Sequence, residues 1–222
     1  MAYGVILEVI GERACFSRPE LKVERLSYDC ITPSAAVGIL ESVYWHPPMK
    51  YCIDKIHVLN PVRFATIRTN EVKSKALASS IRKSINTKGE LPYINTKQDI
   101  QQRTSTILVD VHYVIEAHFE VDEAKLAEGE TPAKFASILN RRLAKGQNFM
   151  QPYLGLREYA ARISPYEGEM PPKGAYSDSG ERDLGLMLYG IDYSNPKDYT
   201  PMFFRAVMND GVIDVAGSEV LR

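Results

Sequence analysis

The run ILVDVHYVIEAHFEV, residues 107 to 121, constrains the fold more than any other stretch of the chain. One set of alternate positions is Ile107, Val109, Val111, Tyr113, Ile115, Ala117, Phe119 and Val121, wholly apolar or aromatic. The other set is Leu108, Asp110, His112, Val114, Glu116, His118 and Glu120. Successive strand side chains point to opposite faces, so this period predicts one long strand with one face on a core and the other open. A chain with such a strand must supply partners for it and a cover for its apolar face.

Both are legible. Residues 3 to 10, YGVILEVI, are apolar and rich in β-branched side chains, and they read as a buried strand. Residues 51 to 59 and 62 to 68, split by Pro61, read as a long strand with a break or bulge. Two helices share one start signal. Thr32 caps and Pro33 opens the first, with Ala36, Ile39, Leu40 and Val43 at helical spacing. Thr131 and Pro132 open the second, which carries Arg141 and Arg142 near its end and Gly146 as its stop. The first helix is expected to run into Tyr44, Trp45 and His46 and to halt at Pro47 and Pro48. Those polar-tipped rings are either the last turn of a packing face or side chains held for a ligand. A further strand around 153 to 163 completes the order β-α-β-β-α-β, that of a ferredoxin-like or RRM-like domain over residues 1–165. Residues 166–222, with strand-like runs LGLMLYGIDY and PMFFRAVM, read as a β-rich extension.

The net charge of −1 conceals an asymmetry. Residues 166–222 hold five basic against ten acidic side chains, leaving +4 on residues 1–165. From Lys73 to Arg103 there are seven basic residues and two acidic ones, Glu90 and Asp99, a segment suited to phosphates or, equally, to a solvated loop. No run of about 18 apolar residues is present, and the start MAYGVILEVIGERACF lacks a basic n-region, so a cytoplasmic protein without a membrane partner is expected. Cys15, Cys30 and Cys52 show no C-x-x-C spacing and read as reduced thiols. The four histidines form no metal signature, and Walker, dinucleotide-binding and serine-hydrolase motifs are missing, so neither a catalytic metal nor a cofactor is expected.

The stretches ACFSRPELKVERLSYDCITPSAAVGILESVYW, HYVIEAHFE, RRLAKGQNFMQPYLGLREY and RDLGLMLYGIDY together resemble the CRISPR-associated protein 5 family, in particular its Dvulg or subtype I-C branch. The resemblance implies an enzyme that cuts the repeat of a CRISPR precursor transcript without a metal. It then keeps the repeat stem-loop's 5′ handle as a subunit of a type I-C interference complex. The alternative is a non-catalytic RNA-binding scaffold subunit. The family's cleavage centre combines a tyrosine at the end of the first helix with a lysine and a histidine on a later strand. Tyr44 and His118 match the first and last, whereas Ala117 stands at the lysine position. Lys73, Lys75 and Arg103 are the alternatives for the missing cation. Arg18, Lys22, Arg25, Lys73, Lys75, Arg103, Arg141 and Arg142 are the expected RNA contacts.

Overall fold

The computed structural model describes residues 3–21, 23–195 and 198–222. In chain order its elements are β1 (Tyr3–Ala14), β2 (Arg25–Leu26), α1 (Pro33–Val43), β3 (Met49–Val58), β4 (Phe64–Val72), α2 (Ala78–Thr87), β5 (Ile100–Val121) and α3 (Pro132–Ala144). There follow β6 (Arg162–Pro165), β7 (Glu181–Asp192), β8 (Thr200–Asn209), β9 (Val212–Asp214) and β10 (Val220–Leu221). It is a mixed α/β fold with few helices and a curled, mainly antiparallel sheet.

The alternating run forms the C-terminal part of β5, the organising strand of 22 residues. Its C-terminal half pairs with β1 on one side and β3 on the other, both antiparallel. Its N-terminal half pairs with β4 and, in parallel, with β2. Between the halves Asp110 takes a left-handed conformation, φ 55°, and β1 skips a pair there, from Gly11↔Val111 to Arg13↔Val109. The strand changes partners at that irregularity. The sheet path is β10-β8-β9-β3-β5-β1-β6.

The apolar face of β5 is buried as its period requires: Val111, Tyr113, Ile115, Ala117 and Phe119 join Leu7 and Val9 of β1 and Ile53 and Ile56 of β3 in the core. Ala36, Ile39, Leu40 and Val43 of α1, with Phe135, Leu139 and Leu143 of α3, belong to the same cluster. Thr32 and Thr131 accept hydrogen bonds from the amides of Ala35 and Lys134, both at 3.3 Å, which is the capping role expected of them. Met187, Phe204, Ala206, Met208 and Ile213 of the C-terminal strands also enter this cluster, and β9 pairs with β3, so residues 166–222 continue one sheet and one core.

Four expectations are corrected. α1 ends at Val43, and Tyr44 is its extended C-cap (φ −154°, ψ 127°), so Trp45 and His46 lie beyond the helix. Residues 153–161 contribute one isolated bridge, Tyr153↔Ala160, and no strand until Arg162. Leu154 anchors that loop on β1 through its carbonyl, which accepts from the Cys15 amide at 3.1 Å. Gly155, φ +80°, presses on the Cys15 carbonyl, leaving no room for a Cβ. The basic segment holds a helix, α2, of which Ser84 alone is buried. Finally, the second face of β5 is not open throughout, for Val114 and its neighbour His57 are buried.

Candidate active site

On that second face the sheet collects polar groups that the sequence scatters. His118 stands opposite Cys52 of β3 and Gly4 of β1. Its Nδ1 hydrogen-bonds both carboxylate oxygens of Asp54, at 2.8 and 2.9 Å. The β3 ladder passes from Ile53↔Ala117 to Lys55↔Glu116, leaving Asp54 as an extra residue in a bulge. The bulge puts the Asp54 carboxylate on the same face as the Lys55 position without disturbing the apolar phase of Ile53 and Ile56. The Asp54 carbonyl in turn accepts the amides of Val215 at 2.9 Å and Ala216 at 3.1 Å.

A neutral imidazole that donates its Nδ1 proton to a carboxylate keeps Nε2 as an acceptor. His118 remains about a quarter exposed, so that nitrogen is placed for exchange with a bound molecule. Lys50 lies opposite Glu120, one pair further along the same face, and is exposed. Beside it a hollow of about 270 Å³ opens, lined by Pro47, Pro48, Lys50, Glu120 and Lys125. Two more histidine–carboxylate pairs continue the face: His57 Nε2 with Glu116 at 2.7 Å, and His112 Nε2 with Glu8 at 2.8 Å. Ligand atoms of Cys52, His118 and Glu120 all lie within 4.8 Å of one another, a grouping that could hold a metal ion. Burial pushes the Cys52 thiol up and Glu120 adds to the rise, against the pull of Lys50.

Tyr44 lies on the other side of the sheet. Its carbonyl accepts from the Tyr51 hydroxyl at 2.7 Å, and Tyr51 is the cross-strand neighbour of Phe119 on the helix-covered face. The Tyr44 ring sits 6.4 Å from that of Phe135 and 5.1 Å from the Arg142 guanidinium. Arg142 donates to the Val43 carbonyl at 2.8 Å, and His46 stacks on Phe135 at 5.0 Å while pairing with Glu130 at 3.1 Å. Burial raises the Tyr44 hydroxyl above its ordinary value; Arg142 opposes the rise and Glu130 adds to it. The two expected catalytic residues therefore occupy opposite faces of the β3–β5 pair.

The expected cations are dispersed. Arg103 is fifteen residues before His118 on β5, roughly 50 Å along the strand at about 3.3 Å per residue. Lys73 and Lys75 follow the end of β4, beyond the Val72↔Ile100 pair, so none of the three can replace a cation at His118. Arg25 and Arg103 share Glu71 at 3.2 and 3.1 Å, and Arg18 pairs with Asp29 at 3.3 Å beneath the Tyr28 ring. Among the described residues Lys73, Lys75 and Arg141 are exposed and enter no ion pair. Lys22 lies outside the described residues. Sequence reasoning missed Asp54, Lys50, Cys52 and Glu120 as neighbours of His118, because only strand pairing and one bulge bring them there. A larger hollow, about 870 Å³, is elsewhere; Glu12, Arg13, Glu158 and Arg162 line it, away from the Gly4 end of β1 that faces His118.

The family model described as CRISPR-associated protein, of the Cas5d type, matches residues 4–216. A protein of Mannheimia succiniciproducens named CRISPR pre-crRNA endoribonuclease Cas5d is 44% identical over 218 residues, covering 97% of this chain and 96% of its own. One of Thermus thermophilus with the same name is 38% identical over 228 residues, covering 94% and 90%. In structure the chain resembles a CRISPR-associated protein with a TM-score of 0.69 at 23% identity, covering 99% of this chain and 96% of that one. A functionally uncharacterized Streptococcus mutans protein gives 0.67, also at 23%, with 99% and 97% covered. These two share the fold. Matched by that model along almost all of its length and by both named relatives, the chain belongs to the Cas5d family of CRISPR-associated proteins.

Proposed function

We propose that this chain is a pre-crRNA endoribonuclease that cuts CRISPR repeat RNA by attack of an internal 2′-OH, with His118 as the proton-transfer residue. The observation that carries this reading is the His118–Asp54 pair, a quarter to a third exposed on the sheet face away from the helices, in a chain 44% and 38% identical to proteins of that name. Asp54 orients the ring, and Nε2 takes the proton of the 2′-OH as that oxygen attacks the adjacent phosphorus and the 5′-oxygen leaves, taking up a proton from water. Charge developing on the phosphorane needs a nearby cation. Lys50, on the same face beside the hollow, takes that role in place of the lysine absent at Ala117. Tyr44 is assigned a positioning role: it holds Arg142 over its ring and the start of β3 through Tyr51.

The RNA then remains on the protein as the 5′ handle within a type I-C complex in the cytoplasm. Lys73, Lys75 and Arg141 supply the phosphate contacts most directly. Arg18, Arg25, Arg103 and Arg142, each steadied by the partner described above, are assigned further phosphate contacts, and Lys22, expected in the same role, lies outside the described residues. The reading treats residues 1–165 as a ferredoxin-like RNA-binding unit and 166–222 as an extension. It is supported by the neighbours β6-β1-β5-β3, which correspond to order 4-1-3-2 of a βαββαβ unit and are antiparallel throughout.

The test is cleavage of the chain's own repeat RNA in EDTA, with products ending in a 2′,3′-cyclic phosphate and a 5′-hydroxyl. A repeat with deoxyribose at the scissile nucleotide should bind and stay intact. Cutting of that substrate at the normal rate would sink the mechanism, and tight binding without any cutting of the normal repeat would leave a scaffold.

A further inference from the structure

We propose that Cys52, His118 and Glu120 form a site for a soft divalent cation such as zinc, and that filling it withdraws the His118 imidazole from RNA cleavage. The second half of the proposal rests on the role given to His118 above. The first half rests on geometry alone.

The three residues supply thiolate, imidazole and carboxylate, the donor set preferred by zinc and by cobalt as its spectroscopic substitute. Their ligand atoms lie within 4.8 Å of one another. Tetrahedral coordination at about 2.0–2.3 Å places ligands roughly 3.3–3.8 Å apart, so side-chain shifts of about 1–1.5 Å close the site. The frame is rigid, since Cys52 and His118 are directly paired across β3 and β5 and Glu120 is two residues on along the same face. Asp54 completes the arrangement from outside. By engaging His118 Nδ1 at 2.8 Å it leaves Nε2 for the metal, the carboxylate–histidine–metal pattern that fixes tautomer and ring direction.

Charge agrees with a dication. Asp54, Glu120 and Lys50 surround Cys52 and sum to −1; loss of the thiol proton to solvent on binding makes this −2. The ammonium of Lys50, cross-strand from Glu120, opposes entry. Binding involves no redox change: the Sγ–H bond breaks, an Sγ–metal bond forms and the proton goes to water. Three protein ligands leave a fourth position for water or a phosphate oxygen. The nitrogen that would accept the 2′-OH proton is then a ligand, and cleavage stops while RNA binding persists.

The experiment uses the full chain and Co²⁺ first. Wild type is expected to bind one cobalt with a sulfur-to-metal charge-transfer band that zinc displaces. Cys52→Ser should lose the band, and Asp54→Asn should weaken binding about 10- to 100-fold, as changes around a first set of ligands do. Absence of the band in wild type, or its survival in Cys52→Ser, overturns the site. Zinc is then titrated into cleavage assays, each variant scaled to its own rate in EDTA. Inhibition of wild type that Cys52→Ser and Glu120→Gln relieve, at unchanged RNA affinity, supports the proposal. A band that depends on Cys52 together with undiminished cleavage keeps the metal site but sinks the proton-transfer role of His118.

Discussion

Tyr44 and His118 flank the same pair of strands and live in opposite chemical surroundings. Beneath the sheet, Tyr44 is enclosed by Phe135, Tyr51 and the Arg142 guanidinium, and its carbonyl is used as a strut. Above it, His118 meets a carboxylate, a thiol and, nearby, an ammonium, with a quarter of its surface in solvent. Strand parity makes the difference: Tyr51 and Phe119 turn down to the helices while Cys52 and His118, their next neighbours, turn up. Adjacent residues thus serve packing and chemistry separately, and a substitution on one face should leave the other largely intact.

The sharpest way to break this comparison is kinetic. His118→Ala should lower the single-turnover cleavage rate by roughly 10²- to 10⁴-fold, the usual worth of general acid–base catalysis, with repeat affinity little changed. Tyr44→Ala should instead act on the fold, costing about 3–5 kcal/mol in urea denaturation, the range for truncating a buried aromatic ring. Tyr44→Phe keeps the ring and should cut at nearly the wild-type rate; a loss comparable to that of His118→Ala would erase the distinction between the faces.

A smaller effect separates both regions from the basic segment. Replacing Lys73 and Lys75 by Ala should flatten the log–log salt dependence of repeat binding by up to about 1.5 and spare the rate at saturating protein. An unchanged slope would make that segment a solvated surface. The smallest expected effect is on alkaline stability. Burial raises the folded-state value of the Tyr51 hydroxyl above the ordinary 10.0, so the unfolded chain loses that proton first. Stability is then intact below about pH 9 and falls as pH rises, by about 0.4 kcal/mol from this residue at pH 10. Tyr51→Phe should remove that part of the slope, whereas His118→Ala should not.

What the sequence disclosed follows the same division. The β5 alternation and the two Thr-Pro helix starts were legible because burial and capping at those places depend on local spacing. α2 was not, since Leu77, Ile81 and Ile85 recur at helical spacing but stay exposed and Leu77 offers no side-chain cap. The direction of Tyr44 was hidden by a single extended residue at the helix end, which turns the ring under the sheet. His118 was legible as a polar residue on the less apolar face. Its partner was not, because nothing in YCIDKIHV marks Asp54 as the residue that the ladder passes over.

That passed-over residue ties two distant parts of the chain into one lever. Its carboxylate steers the imidazole of His118, and its carbonyl is the hook for the amides of Val215 and Ala216. Proteolytic clipping shortly after β9, or any binding partner that tugs the last residues away from β3, would loosen the hook and let Asp54 drift. The tail, far from His118 in sequence, thereby becomes a place from which the aim of the imidazole can be spoiled without touching His118 or Asp54.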